Sequence, residues 1–491
     1  MSDDEADPEL LELLRQSLSL SKKAASDEVS SDTGVLKSAE HIYANAIDVS
    51  IDMYGTKAAA ASLFKTMQQR GYSTQAWSQH DLHPAIEQGF SEVGMVNFIF
   101  TMDLLNFSFW SELSETERYQ VEYLGKRWTG YKSLVACLRR ALDEGVPITT
   151  PRYWNDSLGS DDVLRHVFRS ATDEQIPLLE ERIAMLREAG MILHQDFGDP
   201  DEIRSDEKET LEAELDQLAL GPADGSEVEV VVADPAPIES LPADVAMESA
   251  QAGAEVETDT TAPEITQSNV VSEANNDEVA KSSLPQPERR PDLTVLRLVE
   301  KADKSAGKLV NLLAKHFPSF RDEARFLSKR VRLLKRPQIF VADLWAAFNG
   351  AGYGEFTDID HLTMFADYRV PQMLRALGVL VYSPPLHYHI SSLKEIPSGH
   401  SWEVQLRGCS IWAVELIRRE ILRQHPEAAA TGVNAVLIDF LLYDLAKERE
   451  SAGEISASLV CFFCRALREL GGTLFKIKWL KMPDLQVVPR S

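Results

Sequence analysis

One stretch decides what the rest of this 491-residue chain can fold into: the segment from Pro200 to Arg290. It holds 23 acidic and 5 basic residues, set among alanine, proline and serine. Such a composition buries too little apolar surface to offset the entropy of ordering the backbone. Residues 199–291 therefore read as a disordered acidic insertion, a solvated linker rather than a binding segment. Met1 to Val35, with 9 acids and 3 bases, reads as a disordered acidic N-terminal tail. What folds must come from two flanking blocks, 36–198 and 292–450, with a segment 451–491 beyond them. The formal charge of −27 sits mostly in the tail and the insertion, leaving −3 for everything else. So neutral a core lacks the basic stripe that coating a nucleic acid requires.

Both blocks carry helical periodicity. In "DEQIPLLEERIAMLREAGMIL" apolar residues recur at helical spacing, and Gly190 is expected to stop the helix. "GCSIWAVELIRREILRQHP" is a helix bounded by Gly408 and Pro426, and "TGVNAVLIDFLLYDLAKERE" is one that Thr431 can cap. "RVPQMLRALGVL" sets Pro371 at a helix start and Gly378 at its end. Few segments alternate like strands, and no internal repeat is found. The expected fold is mainly α: one helical core, assembled from two blocks that the insertion interrupts.

Four cysteines, Cys137, Cys409, Cys461 and Cys464, are no disulfide framework in so long a chain and point to a reducing compartment. No apolar run has the length of a membrane span. The acidic start "MSDDEADPEL" argues against a leader peptide. A cytoplasmic protein is expected, with the nucleus as a second location.

Leu437–Glu448 reads "LIDFLLYDLAKE", apolar nearly throughout but holding Asp439 and Asp444. Val433, Leu437, Phe440 and Asp444 recur at spacings of four, three and four, on one stripe of a helix. Asp444 thus occupies a place where the pattern calls for an apolar side chain. Asp439 lies near the stripe of Val436 and Tyr443. Two readings stand side by side: each aspartate pairs with a buried arginine, or a carboxylate faces a cavity with an aromatic ring one turn away.

A second acidic cluster, "FTDIDHLTMFADYRVPQ", holds Asp358, Asp360 and Asp367 beside Phe365, Tyr368 and Arg369. Taken alone, Asp367 reads as a helix cap and the other two as loop acids. In "TMDLLNFSFWSE", Asn106, Phe107, Phe109 and Trp110 form an aromatic knot that suits a core and would also suit stacking on a planar heterocycle. "AWSQHDLHP" contributes His80 and His83. There is no phosphate-cradling glycine loop and no GxSxG elbow. Cys461 and Cys464 make a lone CxxC without metal-spaced partners. Acids and aromatics without a metal or dinucleotide fit cleavage of a glycosidic bond, where a carboxylate faces an oxocarbenium-like transition state.

Six strings in this order, "TMDLLNFSFWSE", "GVPITTPRYW", "KRPQIFVADLW", "FADYRVPQMLRALGVLVYS", "EVQLRGCSIWAVELIR" and "VNAVLIDFLLYDLAKE", resemble the queuosine salvage protein family, which comprises queuosine 5′-phosphate N-glycosidases/hydrolases. The resemblance covers both blocks, about Ser38–Gly198 and Leu293–Glu450. It implies an all-α fold similar to helix-hairpin-helix DNA glycosylases. It also implies hydrolysis of queuosine 5′-phosphate to free queuine for reuse in tRNA, with no metal or organic cofactor. Asp444 would be nucleophile or transition-state stabiliser. Asp439, Phe440, Phe365, Asp367, His80 and Asp358 would hold the substrate.

The expected partner is thus a small nucleotide, bound by a monomer that touches neither nucleic acid nor membrane. The tail "LVCFFCRALRELGGTLFKIKWLKMPDLQVVPRS" departs from the family's basic and aromatic C-terminus, which leaves Arg369, Arg407 and Lys335 as candidates for the 5′-phosphate. Rival readings are a non-catalytic helical binding or scaffold protein and a nucleic-acid base glycosylase.

Overall fold

The computed structural model describes residues 29–199 and 291–454, apart from 75, 76, 78, 79, 110, 112, 115, 156–158, 393, 430 and 431. Most of the acidic tail, the insertion 200–290 and the C-terminal residues with Cys461 and Cys464 lie outside the described residues, as do Trp110 and Thr431.

The first block contributes helices α1 Val35–Asn45, α2 Met53–Arg70, α3 Glu92–Leu104, α4 Tyr131–Asp143, α5 Asp161–Val167 and α6 Leu179–Phe197. The second contributes α7 Thr294–Glu300, α8 Ala306–His316, α9 Lys335–Ala347, α10 Arg369–Ala376, α11 Pro384–Ser391, α12 Ser401–Gln424 and α13 Ala435–Ser451. The mainly helical expectation holds. The strands of the described residues form three two-stranded antiparallel ladders. One of these joins the blocks, with Val49–Ile51 pairing with Leu380–Tyr382 in the register Ser50 to Val381.

Helix starts follow their capping residues. Asp52 accepts from the Gly55 N–H at α2, Ser91 from Gly94 at α3, and Asn434 from Leu437 at 3.0 Å at α13. The last of these replaces the expected Thr431, so Val433 precedes the helix rather than starting its stripe. Gly378, with φ of 72°, follows α10 as anticipated.

Two glycines expected at helix ends lie inside helices instead. A Cβ on Gly190 would meet Asn155 Oδ1 at 3.2 Å, the Pro151 carbonyl at 3.3 Å and Trp154 Cβ at 3.5 Å. The residue lets α6 pack closely on the 151–154 turn, and the helix runs on to Phe197 and Gly198. Gly408 sits within α12 for the same kind of reason, since a Cβ there would lie 2.5 Å from Ile42 Cδ1 of α1.

The core is shared by both blocks. Phe100 of α3 lies fully buried among Phe317, Phe320 and Phe340, with ring centroids 5.6, 5.8 and 5.5 Å away. Each such ring contributes roughly 1.5–3 kcal/mol by burial. The chain that follows α3 is held by two buried cations. Arg182 donates to the carbonyls of Leu105, Phe107 and Ser108, and Arg336 to those of Leu104 and Ser319. Both guanidinium groups also face the Phe107 ring, at 4.3 and 5.2 Å. The described part of the aromatic knot is therefore core, tied down by cations that suit a helix C-terminus.

The two ends of the insertion meet at this core, where Arg297 donates to the Phe197 carbonyl at 3.3 Å and to Asp199 at 3.0 Å. Replacing residues 201–290 by a short Gly/Ser linker is accordingly expected to leave the thermal midpoint unchanged within a few degrees, by calorimetry. A collapse of the transition would show that the insertion is part of the cooperative unit.

Candidate active site

Helix α13 packs against α10, α12 and α2. Asp439 is buried, and its Oδ1 accepts the Phe365 N–H at 2.9 Å. Desolvation, and then the neighbouring Asp367, push its carboxyl well above the ordinary range, while the Phe365 amide and Lys335 pull the other way. Phe440 and Phe365 bring their rings to 6.1 Å at 56°. Asp367 accepts from the N–H groups of Arg369 and Val370 at 2.9 and 3.1 Å, so it does cap the first turn of α10 as well as standing beside Asp439.

One turn on, Asp444 is half-buried and accepts the Tyr72 hydroxyl at 2.6 Å. Burial raises its pKa, and the Tyr72 hydrogen bond and the Lys447 charge oppose the rise. Tyr72 follows α2, whose last residue, Arg70, forks onto Glu448 of α13 at 2.7 and 2.9 Å. Among the described residues neither Asp439 nor Asp444 forms a salt bridge with an arginine, so the bland reading of paired core acids does not apply.

Beyond Asp444 the sign of the charge reverses. Lys447 is largely buried, and its ammonium is pulled down to about 8, by desolvation first and then by Arg369 and Lys132. It lies 5.0 Å from the Tyr443 ring, which Arg369 also faces at 5.6 Å. Arg369 is further paired with Glu450. Three cations thus converge on one place.

His80 borders that group. Desolvation, with Lys132 and Lys447, pushes its pKa down to about 4, so the ring is neutral near pH 7. Its Nδ1 accepts the Leu82 N–H at 3.3 Å, which leaves the proton on Nε2, a buried donor with no partner. His83 stacks on it at 4.2 Å and is itself held by the Trp77 carbonyl and the Tyr131 hydroxyl.

The structure therefore brings together Asp439, Phe440, Asp444, Phe365 and Asp367, with His80 on the cationic side. It does not bring in Asp358, whose carboxylate accepts from Ser305, Ala306 and Gly307 and so caps α8. Of the phosphate candidates, Arg369 joins the cluster. Arg407 is spent on Asp322, Glu403 and the Ala366 carbonyl. Lys335 lies near Asp439, on the other side of the site. Tyr72, Lys132 and Lys447 were not singled out by sequence. Lys447 could have been found, being three residues after Asp444 on the same helix, whereas Tyr72 and Lys132 carry no local signal. Among the described residues no group of His, Cys, Asp and Glu is arranged to hold a metal ion, and no helix is long and apolar enough to cross a membrane.

A family model described as queuosine salvage protein matches residues 82–205 and 285–462. A protein of Schizosaccharomyces pombe called queuosine 5′-phosphate N-glycosylase/hydrolase is 33% identical over 426 residues, 85% of this chain and 93% of its own length. The Bos taurus protein of that name is 33% identical over 84% of this chain and 92% of its own. One from Sphaerobacter thermophilus is 31% identical over 71% and 75%.

Because the folded-state pKa of Asp439 is raised, its ionised form costs stability, and that cost grows as pH rises through the folded pKa. Asp439→Asn keeps an acceptor for the Phe365 amide and removes the charge. It is expected to melt at or above the wild-type midpoint at pH 7.5, with the gap closing toward pH 4, by scanning fluorimetry. A markedly lower midpoint at pH 7.5 would mean that the carboxylate is there for stability.

Proposed function

The chain belongs to the queuosine salvage protein family, and on that basis we propose that it hydrolyses the N-glycosidic bond of queuosine 5′-phosphate, with α13 laid along the nucleotide. The observation that carries this reading is the order of groups on that helix. Asp439 and Phe440 come first, Asp444 next and Lys447 last, spread over about 12 Å at about 1.5 Å per residue. Acids and rings suit a base, a lone carboxylate suits a sugar, and cations suit a phosphate.

In the reaction the C1′–N9 bond breaks and its electron pair leaves with the base, which takes up a proton. Water delivers hydroxide to C1′, giving free base and ribose 5-phosphate. Queuine is a 7-deazaguanine, so position 7 is a carbon and cannot be protonated as N7 of a purine can. Stabilising the ribosyl cation gains weight accordingly. Asp444 supplies the anion for that charge in a site partly withdrawn from water. Tyr72 offsets the effect of burial and favours the ionised carboxylate there. Asp439 and Asp367 accept from the N–H groups of the guanine-like edge. Phe365 and Phe440 flank the ring, and the Nε2–H of His80 is a neutral donor to the bound nucleotide. Lys447, Lys132 and Arg369 receive the 5′-phosphate, where a dianion would relieve their mutual repulsion.

The substrate is a small nucleotide, and we read the protein as a cytoplasmic or nuclear monomer acting on the free nucleotide rather than on RNA.

Incubation with queuosine 5′-phosphate and mass spectrometry of the products tests the reading, with queuine and ribose 5-phosphate as the expected pair. Asp444→Asn should fold normally and lose about 10²–10³-fold in kcat, the effect of removing one charge-stabilising group, about 2.7–4 kcal/mol. A variant that turns over at the wild-type rate would exclude Asp444 from the chemistry. Tyr72→Phe removes a bond that lowers the Asp444 pKa, so the acid limb of the kcat/KM profile should move to higher pH. In the wild type kcat/KM should decline as pH rises through about 8 and Lys447 loses its proton. Lys447→Met should raise KM and abolish that decline.

A further inference from the structure

A second pair of carboxylates, outside the group on α13, forms no salt bridge among the described residues. Asp103 lies in the last turn of α3 and Asp343 in the third turn of α9, two helices packed on each other. Asp103 is 0% exposed, and among the described residues neither of its oxygens has a partner at hydrogen-bond distance, the Asn106 side chain being the donor nearest to it. Asp343 is 6% exposed and forms no salt bridge among the described residues, with the Trp77 indole as the donor beside it.

This is not how the fold treats a structural acid. Asp322, half-buried, takes a two-pronged guanidinium from Arg407 and the Lys335 amide, and its pKa is lowered. Around the pair stand Lys335 and Arg336 at the start of α9, Asn106 after α3, Trp77, and Tyr131 of α4. Arg336 is spent on two carbonyls, and the buried Trp77 indole N–H, beyond bonding distance, faces Asp343 and holds its carboxyl down in part. Burial, and for Asp103 the facing Asp343, raise both carboxyls, Asp343 to about 7 and Asp103 well above its ordinary range. Two such groups this deep hold a proton between them or wait for a cation.

The pair adjoins the site through Tyr131, whose hydroxyl meets His83, stacked on His80, and donates to Met102 beside Asp103. Lys335 is felt by both Asp103 and Asp439, and the Tyr131 hydroxyl by Asp103, Asp343 and Tyr443. If the guanine-like edge rests on Asp439 and Asp367, the substituent at position 7 must find room elsewhere in the base end. In queuine that substituent is an aminomethyl arm with a secondary ammonium.

We propose that Asp103 and Asp343 receive the ammonium of this arm and make the enzyme select a queuine base over a plain 7-deazaguanine. The inference rests on the hydrolysis proposed above. A secondary ammonium has two N–H donors, one for each carboxylate, and its charge replaces the missing partner. Both acids also sit in strings that are otherwise apolar, "TMDLL" and "FVADLW".

The test compares kcat/KM for queuosine 5′-phosphate and for 7-deazaguanosine 5′-phosphate in the wild type, Asp103→Asn and Asp343→Asn. The wild type should prefer the first substrate at least 100-fold. Each variant should cut that preference at least tenfold, chiefly through KM for queuosine 5′-phosphate. Equal losses on both substrates would show that the pair only supports the fold, and the proposal would fall. A wild type that hydrolyses neither nucleotide would instead overturn the hydrolysis reading. A readout free of any variant is calorimetry of the wild type at pH 7 in buffers of different ionisation enthalpy. Queuine binding should release protons from the pair where 7-deazaguanine, which offers the same ring edge without the arm, does not. Identical proton release for the two ligands would refute the proposal even if the variants failed to fold.

Discussion

The burial of Phe100 among Phe317, Phe320 and Phe340 is the contact on which the rest depends. It closes one core from residues that precede and follow the insertion. The site straddles the closure. Tyr72, His80, Lys132 and Asp103 come from before the insertion, and Asp343, Phe365, Asp367, Asp439, Asp444 and Lys447 from after it. Neither block holds the whole set, so the cluster exists only where the two blocks share one core. The close approach of α12 to α1 at Gly408 and the ladder between Val49–Ile51 and Leu380–Tyr382 make the same join at other points.

What sets the site apart is the withholding of partners. Elsewhere in the core the chain neutralises each buried charge. Arg407 meets Asp322 and Glu403, Arg182 meets four carbonyls, and Glu415 meets Arg418 and Arg419. On α13 two aspartates stay without arginines, and three residues past the second a lysine stays without a carboxylate at bonding distance. Unpaired groups of this kind cost stability. A ligand that brings the missing charges would offset that cost.

Much of the site was legible because it is local. The spacing of Val433, Leu437, Phe440 and Asp444 placed a carboxylate on a mostly apolar helix, and a family resemblance attached roles to Asp439, Phe365, Asp367 and His80. Asp367 was legible twice, as a cap and as a neighbour of Asp439. Asp358 lies apart from the cluster and caps α8, and an acid in a loop looks the same whether it meets a ligand or caps a helix distant in sequence. Gly190 and Gly408 misled for a related reason. A glycine in a helical pattern signals a stop when the neighbouring backbone is solvent, and a close contact when another element is pressed against it. The sequence alone carries no information on which it is.

The sequence by itself determined the helical class, the separation of an acidic low-complexity segment from two folding blocks, and the presence of two carboxylates on one helix. These follow from composition and from a period of 3.6, which any short window contains. Only the tertiary structure decided that Tyr72 restrains Asp444, that Lys132 and Arg369 crowd Lys447, and that Asp103 and Asp343 face each other unpaired. Each depends on residues tens to hundreds of positions apart meeting in a medium of low polarity, where the strength of a charge is set by what lies beside it rather than by what precedes it in the chain.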